Sequence, residues 1–336
     1  MKSGSNDRCL CTGGTKLKEC CVDKRKADER QAMLDAAVRE VRELLESRSF
    51  ASLEEANAFL NRHMQQRNRA PEDDFDGLSS GQMHRLLHYP FESPDLAAFP
   101  ACLDVVPDAP ILRLFSLLVE KLGDQGLKAT TTGNLPRNLC REIALTYWGE
   151  EKYREVFRYG ELRTEPMFFD LHVTRIVSGL SGLVRKYRGK FIVSNGCRRL
   201  LNKQGLAGIY PRLFREFATK YNWAYWGGRS EIPLIQQSFL FTLYLLRRHG
   251  TEWRSCRFYE DWFLRAFPAV LNEVVPIGEY LSPEKVLRGS YSWRCLDRFA
   301  GFLGLVEIRR DPGKGLRGDF LVRKLPLLDH VVQFHL

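Results

Sequence analysis

Four of the chain's nine cysteines fall within the run Cys9-Leu10-Cys11-Thr12-Gly13-Gly14-Thr15-Lys16-Leu17-Lys18-Glu19-Cys20-Cys21. Two close pairs joined by a short loop bring four thiolates to one point at little loop-closure cost, and four soft ligands suit a tetrahedral structural zinc. Gly13 and Gly14 tolerate positive φ, so the chain can fold back over an ion. Arg8, Lys16, Lys18, Lys24, Arg25 and Lys26 surround the run, and their charge favours deprotonated thiols. A redox role fits less well, because there is no CxxC and no adjacent βαβ pattern. The expectation is one structural Zn2+ held by Cys9, Cys11, Cys20 and Cys21, in a segment too small to fold without it.

Other reactive residue types do not assemble into a known site. Glu72, Asp73, Asp74 and Asp76 cluster without a lysine or histidine at useful spacing, and read as solvated loop acids. His84 and His88 stand at i, i+4, as in the HExxH metalloproteases, but an arginine, Arg85, takes the place of the catalytic glutamate. A helix packed through Met83, Leu86 and Leu87 is the better reading. There is no glycine-rich phosphate loop and no GxSxG. Cys102, Cys140, Cys197, Cys256 and Cys295 lack a nucleophile's neighbours, and His172, His249 and His330 are isolated. The sequence argues against an enzyme.

Net charge is +10 over 336 residues, which favours a polyanionic partner such as nucleic acid or a ribosomal surface. The cations gather beside two β-ribbon patterns. Arg185, Lys186, Arg188 and Lys190 accompany the first, and Arg309, Arg310 and Lys314 the second, with Arg317, Arg323 and Lys324 nearby. These seven leading residues are the expected phosphate contacts.

The elements that must carry these groups are mostly helical. Apolar residues make up 44% of the chain, enough for globular cores, and no run of eighteen appears, so no membrane span is expected. The N-terminus has no apolar h-region, which implies a cytoplasmic, reducing setting. Helices are expected over Asp23–Arg48, from Ser52 to about His63, and around Ser79–His88. From Ala109 a pattern of helix, Gly-Leu, short strand and turn recurs in three copies. They run from Ile111 through the helix that Pro136 opens to about Tyr147, through Leu171–Val193 with a turn at Arg188-Gly189, and through Ser292–Lys324. Helix followed by a two-stranded ribbon is how a winged helix ends, and wing cations there contact phosphate. Tyr221, Trp223, Tyr225 and Trp226 suit either a stacking platform or a core, with core favoured. The resulting fold class is mainly α with short β-ribbons (α+β) and two or three winged-helix-like units: a zinc module over 1–26, a helical region over 27–107, one or more winged-helix-like domains over 108–228, and a helical segment ending in a winged-helix-like unit over 229–336.

The stretch Asn6-Asp7-Arg8-Cys9-Leu10-Cys11 through Lys18-Glu19-Cys20-Cys21 resembles the SEC-C motif, the zinc module at the C-terminus of the translocase ATPase SecA. Ligand spacing agrees, while Leu10 replaces the usual proline, Thr12-Gly13 the usual Gly-Ser and Leu17 the usual aromatic. The resemblance implies zinc and docking toward proteins, ribosomes or nucleic acid. Lys128-Ala129-Thr130, Gly133-Asn134-Leu135-Pro136 and Ile235-Gln236-Gln237-Ser238 resemble stretches of uncharacterised bacterial proteins in which SEC-C modules precede helical and winged-helix segments. Two functions follow as expectations: polyanion binding through basic ribbons, or a protein-interaction adaptor of a host-defence or toxin-like system.

Overall fold

A computed structural model describes residues 31–32, 35–36, 38–225, 231–274, 282–311 and 318–336. The chain divides into two compact units, Met1–Ala70 and Pro71–Leu336. In the first, α1 is helical at the described positions between 31 and 46, and α2 spans Leu53–Arg69. Ser52 caps α2 by accepting from the Glu55 amide, while the Glu55 carboxylate accepts from the Ala51 amide at 2.7 Å. Arg67 pairs with Glu40 at 2.5 Å and ties α2 to α1.

The second unit opens with α3 (Ser80–His88), capped reciprocally by Ser79 and Gln82 and buried through Met83 and Leu86. After β1 (Ala97–Ala98) come α4 (Pro110–Leu122), β2 (Leu127–Lys128), α5 (Arg137–Val156), α6 (Phe169–Leu180), β3 (Val184–Tyr187) and β4 (Lys190–Val193). These strands form an antiparallel sheet in the order β2-β4-β3. Next come α7 (Asn195–Thr219), α8 (Pro233–Gln237), α9 (Phe239–His249), β5 (Arg254–Ser255) and α10 (Cys256–Ala266). Helix α11 (Pro283–Tyr291) continues into a π-helix, Ser292–Gly301, and leads to β6 (Val306–Arg310) and β7 (Phe320–Lys324). Their sheet order is β5-β7-β6. Helix α12 (Leu327–Val331) and β8 (Gln333–Phe334) close the chain, β8 pairing with β1. The described chain is mainly helical with small antiparallel sheets.

One element order thus occurs twice: helix, short strand, helix, helix, two-stranded ribbon, with the first strand beside the last. The three copies expected from sequence resolve into these two. Leu127 of the supposed first copy pairs with Phe191 of the second, so those copies are halves of one repeat. The other repeat opens with α9, β5 and α10, where the sequence shows only buried apolar helix.

Local chemistry explains the first sheet. Pro110 starts α4, whose Ile111, Leu112, Leu114, Phe115, Leu118 and Leu122 are all buried; each such side chain stabilises the fold by about 1.5–3 kcal/mol. Arg188 and Gly189 have φ of 47° and 76°, the sign pattern of a two-residue type I′ hairpin turn. Gly126, at φ +65°, lets β2 come close to β4: a Cβ there would stand 2.5 Å from the Phe191 carbonyl oxygen.

The two repeats share one core. Arg298 of the π-helix donates to Asp170 of α6 at 2.9 Å and stacks on Phe169. Trp223 lies 4.6 Å, centroid to centroid, from Phe299. Leu171, His172, Val173, Thr174, Val177 and Ser178 of α6 are all buried. Tyr221 and Trp223 are core, as expected, whereas Tyr225 is exposed. Among the described residues no helix is long and apolar enough to cross a membrane; Phe239–Leu246 is buried throughout.

Candidate functional site

The first ribbon concentrates cations that have no carboxylate partner among the described residues. Register places Tyr187, Lys190 and Lys128 in one row across β3, β4 and β2, since Tyr187 opposes Lys190 and Lys190 opposes Lys128. Arg185 shares that face by alternation, and all four side chains are exposed. The opposite face carries Val184, Phe191 and Val193 into the core. Lys186 lies on that inner side at its rim, its Nζ 3.1 Å from where a Gly133 Cβ would stand. Arg188 projects from the turn and stacks on Tyr187, 5.3 Å from the ring centroid. Among the described residues no carboxylate lies within ion-pair distance of Lys128, Arg185, Lys186, Arg188 or Lys190. Like charges directly opposite in a sheet are destabilising, so Lys128 and Lys190 cost the isolated fold something.

Beneath the ribbon a groove runs between α6 and β3, lined in part by Arg175, Ile176, Arg185 and Lys186. Arg175 is held from below: its Nε donates to Glu165 at 2.5 Å, and its guanidinium lies 5.2 Å from the Phe191 ring centroid. Glu165 is fully buried. It also accepts from the Leu135 amide and meets His172 Nδ1 at 2.9 Å. Burial alone would raise this carboxyl, but the His172 and Arg175 contacts and the Leu135 amide outweigh it and hold it below the ordinary value.

The second ribbon is arranged differently. Arg310 pairs with Asp297 at 3.0 Å and stacks on Phe320. Arg323 pairs with Glu307 at 2.6 Å, and Lys324 with Asp329 at 2.6 Å. Trp253 is clamped between the guanidinium groups of Arg309 and Arg323, 4.3 and 4.7 Å from its centroid. Here Arg310, Arg323 and Lys324 each have a carboxylate partner, and Arg309 is held against Trp253. Of the expected phosphate contacts, the structure gathers Arg185, Lys186, Arg188 and Lys190 at one ribbon end. Arg309 and Arg310 lie in the other sheet, already engaged, and Lys314 lies outside the described residues.

Sequence reasoning named Arg175 as the one cation of its helix but missed Lys128, Tyr187 and Trp253 as ribbon residues. The lysine's signal was its place in a two-residue strand; the tyrosine's was an aromatic among four cations. The residues set aside as bland do hold structure. Asp74 pairs with Arg265, and Asp76 with His249 at 2.7 Å. His330 meets Asp104 at 2.8 Å, and the rings of His84 and His88 lie side by side on α3.

Residues 107–206 match the Y4jL N-terminal domain family. The match runs from just before α4 into α7 and so takes in the whole first repeat, basic ribbon included. No curated protein matches the chain, and no solved structure does.

This corrects the identification drawn from the cysteine run. The family match lies on residues 107–206 and is not to the SEC-C motif. Among the described residues no three His, Cys, Asp or Glu side chains are grouped to hold a metal ion. Cys9, Cys11, Cys20 and Cys21, and with them the zinc expectation, lie outside the described residues. A short spacing of cysteines constrains a family weakly, whereas a hundred-residue apolar pattern must agree with an entire core.

Proposed function

We propose that this chain is a nucleic-acid-binding protein whose two repeats are winged-helix-like units, the first of which grips phosphates with its ribbon. The observation that carries the reading is the cation cluster at that ribbon: Lys128, Arg185 and Lys190 on its outer face, Arg188 at the turn and Lys186 at the inner rim, with no carboxylate partner among the described residues. The element order, with the first strand of each repeat beside its last, supports the winged-helix-like reading. The first repeat is the better candidate of the two because Arg310, Arg323 and Lys324 of the second already have carboxylate partners. The five described cysteines are free thiols, in keeping with a cytoplasmic address.

Affinity for nucleic acid measured across a salt series tests this. About four neutralised phosphates give a log–log slope near −3 on single strands. Replacing Arg185, Lys186, Arg188 and Lys190 by alanine together should flatten the slope and abolish binding, while Arg309→Ala should do neither. A flat plot for the unaltered protein removes the proposal.

One observation favours a second reading, a protein-interaction adaptor. Val156, Tyr159 and Met167 are exposed around the connection from α5 to α6, Tyr159 at 90%. Nuclease treatment before pull-down separates the two: an adaptor keeps its partner and a nucleic-acid binder loses it.

A further inference from the structure

We infer that the polyanion taken by the first ribbon is single-stranded nucleic acid, with one base stacked on Tyr187, an inference that rests on the nucleic-acid reading above. Two independent features argue for the single strand over the duplex.

The first is the fate of the helix that would enter a duplex groove. In a winged-helix arrangement the helix preceding the ribbon, here α6, presents its side chains to the bases. Six of its twelve residues, Leu171, His172, Val173, Thr174, Val177 and Ser178, are buried. Its start is bound to the second repeat through Arg298, which donates to Asp170 and stacks on Phe169. His172 and Arg175 are engaged with Glu165. Apart from Arg175 at the groove, this helix has no polar side chain left to read bases. Among the described elements of this repeat the ribbon is what presents unpaired cations, and at four residues in each strand it is too short to follow two phosphate backbones.

The second feature is the ring itself. Tyr187 is 54% exposed, on the face that Lys190, Lys128 and Arg185 share. Arg188 covers one side of it. Aromatic rings interleaved with unpaired cations are how sequence-tolerant single-strand sites are built: cations follow the backbone and the ring takes an unpaired base. In a duplex the bases are stacked on each other, and this ring would have no base to stack on.

The test uses the full-length protein with a labelled mixed-sequence RNA strand, the equivalent DNA strand and the matching duplexes, at one salt concentration. Single strands should bind at least about tenfold more tightly than duplexes. Tyr187→Leu should weaken single-strand binding by about five- to a hundredfold, the size of one lost base stack, while leaving the salt slope and the thermal midpoint unchanged. Tyr187→Phe, which keeps the ring, should bind as the unaltered protein does. Equal or tighter duplex binding, or a Tyr187→Leu variant of full affinity, overturns the inference while leaving the polyanion reading intact. Absence of salt-sensitive binding to any strand, duplex or heparin instead overturns the reading beneath it.

Discussion

Lys128 and Lys190 stand directly opposite one another across the β2–β4 pairing, and no described carboxylate lies between them. In a ribbon kept only for stability, one of the pair would be expected to be acidic or neutral. The arrangement makes charge reversal informative in two directions. Lys190→Glu should turn a repulsive cross-strand pair into an attractive one and stabilise the protein by about 0.2–1 kcal/mol, raising Tm by a degree or two. The same change should weaken polyanion affinity and reduce the salt slope by roughly two charges. Calorimetry and a binding titration on one variant read both. A Tm that falls would show that the two ammonium groups are not in opposition.

Gly126 controls whether Lys128 reaches that position at all. A methyl group there meets the Phe191 carbonyl oxygen at 2.5 Å and the Ile192 side chain at 2.6 Å, and φ is +65°. Gly126→Ala should therefore push β2 away from β4 and destabilise the protein by about 1–3 kcal/mol through backbone strain alone. Hydrogen exchange at the Ala129 amide, which donates to the Gly189 carbonyl at 2.8 Å, locates the damage. Faster exchange confined to this sheet is expected, and unchanged protection there would mean that the strand accommodates the methyl group.

How far these features were legible in the sequence depends on the distance over which each is determined. The Arg188-Gly189 turn, the flanking strands and the cap of α2 by Ser52 are set by a few neighbouring residues, and they stand where the local pattern puts them. The apolar run Phe239–Leu246 is buried for the same local reason. What local pattern cannot carry is pairing between distant strands. Leu127-Lys128 is too short to declare a partner, and that partner lies beyond two helices, so one repeat looked like two. Arg254-Ser255 hides the opening of the other repeat for the same reason. Charge posed a related problem. Both ribbons read as equally basic, because the acids that neutralise Arg310 and Lys324 come from Asp297 and Asp329, outside the strands themselves.

That difference between the ribbons can be measured. Trp253 holds the second one by stacking between Arg309 and Arg323, each contact contributing about 0.5–1 kcal/mol at a partly exposed site. Trp253→Ala should lower stability by about 2 kcal/mol once lost apolar burial is included, and leave polyanion affinity within twofold. Arg310→Ala should likewise cost stability, since Asp297 loses a partner, without changing the salt slope. A slope that drops with either substitution would assign phosphate contact to the second ribbon as well.

Glu165 makes the first repeat sensitive to acid. Its carboxyl is fully buried, and the contacts with His172 and Arg175 and the Leu135 amide hold its folded value below the ordinary 4.5 despite that burial. A carboxyl with a depressed folded value binds its proton more weakly when folded than when unfolded. Its contribution is therefore fully present above about pH 4.5 and is lost as pH falls through the lower folded value. Denaturant melts between neutrality and pH 3 should show stability falling across that lower window. Glu165→Gln should be less stable at neutral pH by about 3 kcal/mol, because Arg175 and His172 lose their common partner, and its loss of stability on acidification should be shallower. Because Arg175 lines the groove under the ribbon, the same variant should bind single strands several-fold more weakly at pH 7. Parallel acid profiles for the two proteins would place the acid-sensitive group elsewhere.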